Sequence, residues 1–341
     1  MKTRVAALLG CAGLVLAGCG GGSSSSGGGD PVTVPGGGGT GGTPTPSPSP
    51  TPTPTPTPNG PDYVGFDELT GSQSFAGGCA VGYDRPDEVS SYPPIPFDEG
   101  LTIAYDADTQ QWSVKWVASG GAVPDVTFGP DDRVAGGTDG TINFARTNAA
   151  GYRETLSIGS GNFPGLQTDY VRTAVVRYDS EIGPFVAACA FGVPTQANDY
   201  PESGEFSYDN LQFVGDVRLK TDEGMRHYAV TASDTSLDVA GNDIVSIIHL
   251  SGRELIDGVP SGPVVELGQF KTETGFDPAF ASFTGKTNSR DYTAYITLPG
   301  ADLGFFGPQG SEVAYVISYY GSGSGVAVGV IQVTGVLVAG R

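Results

Sequence analysis

The stretch Leu101-Thr102-Ile103-Ala104-Tyr105 puts Leu101, Ile103 and Tyr105 on one face and Thr102 and Ala104 on the other. Asp106-Ala107-Asp108-Thr109 interrupts it. Trp112-Ser113-Val114-Lys115-Trp116 then resumes the alternation, with Trp112, Val114 and Trp116 sharing a face. A period of two on either side of a polar turn is the pattern of a β-hairpin. The same period recurs at Tyr292, Ala294, Ile296 and Leu298, and again at Val313, Tyr315, Ile317 and Tyr319. It returns at Ile331, Val333 and Leu337, which share a face with Gly335. No stretch of a dozen residues carries a helical stripe. Short strands divided by Gly, Pro, Asn and Asp predict an all-β chain of antiparallel sandwich or barrel type.

Composition agrees. The 341 residues include 54 Gly and 26 Pro, which oppose long helices. Thirty-seven acids against 17 bases give a net charge of −20, the wrong sign for displacing counterions from nucleic-acid phosphates, so no nucleic-acid partner is expected. An acidic body would steer a basic partner, or serve solubility alone. With 38% hydrophobic residues there is apolar matter for one or two packed domains.

The amino terminus reads as an address. Lys2 and Arg4 precede the apolar run Val5–Ala17, which is too short to span a bilayer and fits a secretory signal. It ends in Leu16-Ala17-Gly18-Cys19, which looks like the lipobox of bacterial lipoproteins: small side chains before the cut, then a thiol to carry a diacylglyceryl group. Residues 1–18 are thus expected to be a signal peptide and Cys19 the lipidated residue, anchoring the protein in the bacterial outer membrane at its periplasmic or cell-surface face. An ordinary signal peptide is the alternative. Gly20, where Asp would signal inner-membrane retention, permits export. Residues 19–60 form a linker: Gly/Ser-rich at first, then Pro alternating with Thr or Ser over Thr43–Pro58, a polyproline II stretch reaching roughly 50 Å.

The folded part divides near Pro194–Pro201, where the polar run Thr195–Asp199 lies between prolines. Residues 61–194 hold strand candidates near 101–106, 111–117, 141–146, 153–158, 169–178 and 184–192. Residues 195–341 hold eight, near 203–217, 226–234, 244–252, 263–271, 279–287, 291–298, 312–320 and 326–339. Eight strands are enough for a closed barrel that fills its interior with side chains, and closure removes exposed edges.

Two stretches carry a family resemblance. Phe191-Gly192-Val193-Pro194-Thr195 followed by Pro201-Glu202-Ser203-Gly204-Glu205-Phe206-Ser207-Tyr208 resembles the entry to the β-barrel domain of transferrin-binding protein B-like lipoproteins, where a Pro-x-Ser/Thr-Gly turn leads into a strand bearing a Tyr. Phe305-Phe306-Gly307-Pro308-Gln309-Gly310-Ser311-Glu312 is similar to that family's late signature, with Gly310 in place of the usual Ala. Val313-Ala314 stands where a Gly follows the Glu, and Asp209-Asn210 where a Gly follows the Tyr. Phe283-Thr284-Gly285 and the closing Val336–Arg341 also fit. The resemblance spans about 195–341. It implies an amino-terminal β-rich, handle-like region followed by an eight-stranded antiparallel β-barrel. It further implies binding of an iron carrier, haem or a host protein rather than catalysis. Binding residues in such proteins lie in variable loops, so none is assigned.

Motifs for other chemistry fail. Gly285-Lys286-Thr287 lacks the P-loop glycine at 280, which is Phe. Gly321-Ser322-Gly323-Ser324-Gly325 has Gly323 where a nucleophile elbow needs Ser. Asp106-Ala107-Asp108 continues with Gln110 and Gln111, unlike a calcium loop. His227 and His249 have no ligand-spaced partner and read as surface or half-buried strand residues, so no metal and no cofactor is expected. A carboxylate pair for glycoside cleavage is not legible from sequence, since pairing is spatial. The leading expectation is a non-enzymatic, monomeric binding lipoprotein. The alternative is a structural or adhesive envelope lipoprotein without a small-molecule ligand; an enzyme comes third.

Cysteine counting gives one more expectation. Cys11 falls in the discarded segment and Cys19 takes lipid, which leaves Cys79 and Cys189 in an exported chain. They are expected to form a disulfide closing about 110 residues and tying a loose, apolar-poor amino-terminal segment to the strand Phe185–Phe191. Two buried free thiols are the alternative.

Overall fold

The computed structural model describes residues 62–83, 92–97, 101–116, 124–135, 140–181, 183–200, 205–221, 223–240, 243–256, 259–275, 285–289, 300–323 and 329–341. The fold is all-β. Eleven strands precede residue 195: β1 (Gln73–Tyr83), β2 (Leu101–Asp106), β3 (Gln111–Trp116), β4 (Val126–Phe128), β5 (Arg133–Val134), β6 (Ile142–Thr147), β7 (Arg153–Ile158), β8 (Asn162–Phe163), β9 (Leu166–Gln167), β10 (Val171–Tyr178) and β11 (Phe185–Gly192). Nine of them form one sheet in the order β4-β3-β2-β1-β11-β10-β7-β6-β5, and β8 and β9 make a small hairpin. The nine-stranded sheet curls until its ends meet. Arg146 on β6 donates to the carbonyl of Thr127 on β4, and the rings of Phe128 and Phe144 lie 5.8 Å apart inside. The enclosed core holds both tryptophans, Trp112 and Trp116, with Phe75, Ile103, Leu156 and Phe191 among others. The β2–β3 hairpin has the registers Ile103↔Val114 and Tyr105↔Trp112, as the alternation around Asp106–Thr109 predicts.

The strands after residue 204 are β12 (Glu205–Thr221), β13 (Gly224–Ala240), β14 (Asp243–Ile256), β15 (Val259–Gly275), β16 (Gly285–Ser289), β17 (Gly300–Phe306), β18 (Glu312–Gly323) and β19 (Gly329–Gly340). They form an eight-stranded antiparallel sheet, β16-β15-β14-β13-β12-β19-β18-β17. From β12 to β16 and from β17 to β19 each strand neighbours the next in sequence, and the first, β12, pairs with the last, β19, as in an up-and-down barrel. The seam falls between β16 and β17, whose connection lies outside the described residues. Tyr208, Val217, Leu219, Leu250, Tyr315, Ile317, Val333 and Leu337 fill the interior.

Three sequence expectations are corrected or set aside. The strand expected at 291–298, and most of that at 279–287, lie outside the described residues. The sheet gains a strand the alternation did not reveal, β17. Its Leu303 and Phe305 point inward while Phe306 packs outward, so the short alternation that begins at Ala301 breaks at the strand's end. Cys79 does not sit in a loose segment. It lies within the eleven-residue β1, whose apolar poverty reflects packing rather than disorder.

β1 changes partner along its length. Gln73–Ala76 pair with β2, and Gly77–Tyr83 pair with β11. The edge that β2 leaves is taken by Tyr92–Phe97: Tyr92 N–H donates to the Val81 carbonyl at 3.0 Å, and Cys79 and Ile95 exchange backbone bonds of 2.9 and 2.8 Å. Because Cys79 points its peptide groups at Ile95, its pairing with Cys189 on β11 is a non-hydrogen-bonded one, the closer of the two antiparallel spacings. The disulfide joins the two there, with both sulfurs buried in the aromatic core.

The outer face of β1 shows why its residues are small. Gly78, Ala80 and Gly82 face the second sheet. A Cβ on Gly78 would stand 2.8 Å from the Phe97 ring and one on Gly304 of β17 3.1 Å from it, so that ring is wedged in a slot only glycine walls leave open. Ala80, Ala188 and Ala190 pack against Phe306, Ala314, Val316, Val336 and Val338. The β18 and β19 strands are therefore buried on both faces, and the two sheets share one apolar seam.

Candidate functional site

The two stretches that carry the family resemblance come together at one end of this seam. Gly307 adopts a left-handed conformation (φ +69°), and any side chain there would collide with the Tyr170 ring. The turn it begins, Gly307–Ser311, is bonded on three sides. Thr195 N–H donates to the Phe305 carbonyl at 2.9 Å, Thr195 Oγ1 to the Gly307 carbonyl at 2.8 Å, and Gly307 N–H to the Val193 carbonyl at 3.1 Å. The Tyr208 hydroxyl, fully buried, donates to the Gly310 carbonyl. Desolvation pushes that phenol well above its ordinary range, against the pull of Arg341 over its ring.

Glu312 completes the knot. Its carboxylate, 6% exposed, accepts the backbone N–H groups of Asp169, Tyr170 (3.0 Å) and Val171 (2.8 Å), at the start of β10 in the other sheet. Burial raises its pKa above the ordinary carboxylate value, with the three N–H donors pulling the other way. The late signature's acid is thus a clamp between sheets.

The amino-terminal end of the folded body docks at the same place. Arg172, 2% exposed by its side chain, donates to the carbonyls of Thr168 (2.7 Å) and Val171 (2.8 Å), pairs with Asp67 at 3.0 Å and lies 4.8 Å over the Phe66 ring. Phe66 N–H donates to the Asp169 carbonyl, and Gln196 N–H to the Tyr63 hydroxyl. Residues 62–69 are thus tied to the start of β10 in the first sheet and to the connector at Gln196.

A groove of about 430 Å³ opens on the outer face of β1 to β4. Its floor is one cross-strand row, Ser74–Ala104–Ser113–Thr127, set by consecutive registers. Asp106 and Gln111 stand at one side and Lys115 at the other. Hydroxyls and amides over a shallow floor can hydrogen-bond a neutral polar ligand; nothing there is arranged as nucleophile and base.

The remaining sequence-stated residues fall as follows. Cys19 lies outside the described residues. Cys79 and Cys189 are disulfide-bonded. His227 and His249 are half-buried on the outer wall of the second sheet. No group of three or more His, Cys, Asp or Glu among the described residues could hold a metal. Sequence reasoning missed the roles of Arg172 and Glu312 as buried charges, as it missed Asp216, which is 5% exposed and bonded to the buried Arg218, since nothing local distinguishes them from surface charges. The position of Glu312 inside a recurring motif was the one available signal.

No protein-family model matches the sequence, and no curated protein matches it. Among solved structures, a single mutant of transferrin binding protein B from Haemophilus parasuis Hp5 is similar at 14% identity over 71% of this chain and 54% of that one, with a TM-score of 0.34. This chain therefore spans about half the length of that protein. The intact Ap-TbpB, with N and C lobes, matches at 12% identity over 81% and 78% of the two chains, with a TM-score of 0.30. A double mutant of the Haemophilus parasuis Hp5 protein matches at 11% over 80% and 76%, with a TM-score of 0.32.

Proposed function

We propose that this chain is a lipid-tethered binding protein of the bacterial outer membrane. Cys19 carries the anchor, residues 19–60 give reach, and the two β regions, 61–194 and 195–341, act together as a non-enzymatic, monomeric receptor for an iron carrier, haem or a host protein. The observation that carries this reading is the knot at Gly307–Glu312. The residues that resemble transferrin-binding protein B-like lipoproteins are those whose contacts build the two-sheet architecture: Thr195, Tyr208, Gly307 and Glu312 touch one another's turn or clamp it to β10. The resemblance thus lies in residues that need one another, which isolated look-alike stretches would not. The disulfide agrees with an exported protein. The buried carboxylate of Glu312 is engaged in holding the sheets together, which suits a rigid scaffold presenting surfaces.

The anchor is tested by Cys19→Ser in the full chain. Loss of lipid labelling and release to the soluble fraction are expected; continued membrane partition overturns that part. Binding is tested by titrating the full chain with iron-loaded transferrin and with haemin, beside capture from iron-limited medium. Saturable binding of one of these is expected. Background capture with neither probe bound would leave the structural or adhesive alternative in possession.

A further inference from the structure

The chain is strongly acidic, yet one wall of the second sheet is not. On β12, residues 216, 218 and 220 point outward, because Val217 and Leu219 point into the core. Asp216, 5% exposed, is surrounded by basic side chains: Arg218 Nε bonds its Oδ2, Arg177 Nη2 of β10 stands 3.5 Å from Oδ1, and the His227 imidazole Nδ1 of β13 stands 4.0 Å from the same oxygen. Arg218 is fully buried and also donates to the Tyr83 carbonyl, so it fixes Asp216 from beneath. Arg177 and His227 remain 46% and 35% exposed. The register continues the wall: Ala229 pairs with Arg253, which is exposed two strands from Asp216, roughly 10 Å at about 4.8 Å per strand. Lys220 lies on the same face of β12, roughly 13 Å from Asp216 at about 3.3 Å per residue.

Acids on this wall sit elsewhere. Asp209 and Asp238 occupy the opposite ends of β12 and β13, Glu266 lies beyond Arg253 on β15, and Glu223 and Glu254 are paired with Arg226 at the hairpin end. The wall is thus bipolar, with positive charge gathered where the two sheets meet.

The geometry points to the wall formed by Arg177, Lys220, His227 and Arg253 around Asp216 as the docking surface for an acidic stretch of a partner polypeptide. This rests on the reading of the chain as a binding protein and names the chemistry of its partner. A single small anion would use one or two of these cations. Alternate carboxylates of an extended chain repeat about every 6.6 Å and can meet several. A longer uniform polyanion, such as a nucleic-acid duplex or an anionic membrane, would run onto Asp209 and Asp238. Because Arg177 and His227 are held by a carboxylate that Arg218 immobilises, little side-chain entropy is lost when they are engaged.

The test uses the full chain and a fluorescein-labelled octapeptide of alternating Glu and Asp, read by anisotropy at low salt. Expected are saturable binding that weakens steeply with salt, and a loss of about fivefold or more in affinity for R177Q and for R253E. R133E, at an exposed residue of β5 in the first sheet and outside the groove, leaves affinity unchanged. Arg253 is exposed, so R253E keeps the test valid where R177Q disturbs Asp216. The inference is overturned if the peptide does not bind, if R133E weakens it as much as R253E, or if a DNA duplex or anionic vesicle binds more tightly than the peptide. It is also overturned if wild type and R253E capture the same partner equally well, which would leave the binding reading intact. Failure to capture any partner would instead defeat that reading, while the peptide titration still judges the wall.

Discussion

The two sheets keep their shape by different means. The first is made mostly of short strands, wraps aromatic side chains around a disulfide, and closes through Arg146 and a pair of phenylalanines. The second has strands of up to 17 residues, as in β12, β13 and β15, and no cysteine at all. Long strands supply many ladder bonds per turn of chain, so the second sheet holds by length. The first, with less ladder per strand, holds by core mass and a covalent tie. The two meet on strands that neither could expose alone, β1 and β11 on one side and β18 and β19 on the other. The contrast teaches that the apolar-poor strand and the doubly buried strands are one feature seen from two sides.

The largest break in this arrangement comes at Glu312. E312A removes the shared acceptor of three backbone N–H groups of the opposite sheet, which water replaces poorly in a buried site. A loss of about 3 to 5 kcal/mol is expected, with denaturant unfolding splitting from one transition into two. A single transition of unchanged midpoint would show that the apolar seam alone couples the sheets.

The disulfide sharpens the contrast within one sheet. Replacing Cys79 and Cys189 by Ala is expected to cost about 2 to 4 kcal/mol, below the roughly 4.7 kcal/mol that the chain-entropy model allows for a loop of this size. The loss should appear in the tryptophan signal, since both tryptophans belong to the first sheet's core. Thiol counting without reductant on the unfolded, non-lipidated domain, residues 61–341, which holds neither Cys11 nor Cys19, should find none. Two reactive thiols would refute the bond.

Smaller still is the effect of Y208F, which removes one buried hydroxyl donor and leaves the Gly310 carbonyl without it. About 1 to 1.5 kcal/mol is expected by chemical denaturation. It should spare the tryptophan signal, because Tyr208 belongs to the second sheet's core.

Legibility followed the same division. The hairpin at 101–116 was readable because one face meets core and the other water, which writes a period of two into the chain. The disulfide was readable from counting. β1 was not, because Gly78, Ala80 and Gly82 are small for the sake of another sheet's surface, and a sequence window cannot see that surface. β17 was hidden for the complementary reason, an apolar residue on each face. Buried charges were invisible because their burial is tertiary: Asp216, Arg172 and Glu312 look like any surface residue until the strands around them are placed. The candidate groove on β1–β4 is likewise a product of register, one small residue from each of four strands.

The smallest expected effect separates two forces acting on Glu312. Burial raises its carboxyl pKa above the ordinary value, while three N–H donors lower it, and the net direction is upward. A carboxyl whose folded pKa is raised binds its proton more tightly in the folded state. Its contribution to stability is therefore greatest below the unfolded pKa and declines as pH rises through the folded one. Glutamine at this position does not titrate. The stability difference between wild type and E312Q should accordingly be most favourable to wild type at the acid end and shrink as pH rises from about 4 to about 7, opposite to the behaviour of an ordinary salt-bridged carboxylate. Urea midpoints measured for both proteins across that range decide it. A difference that grows with pH would mean that the Asp169, Tyr170 and Val171 donors outweigh desolvation, and that the clamp between the sheets is strongest with Glu312 charged.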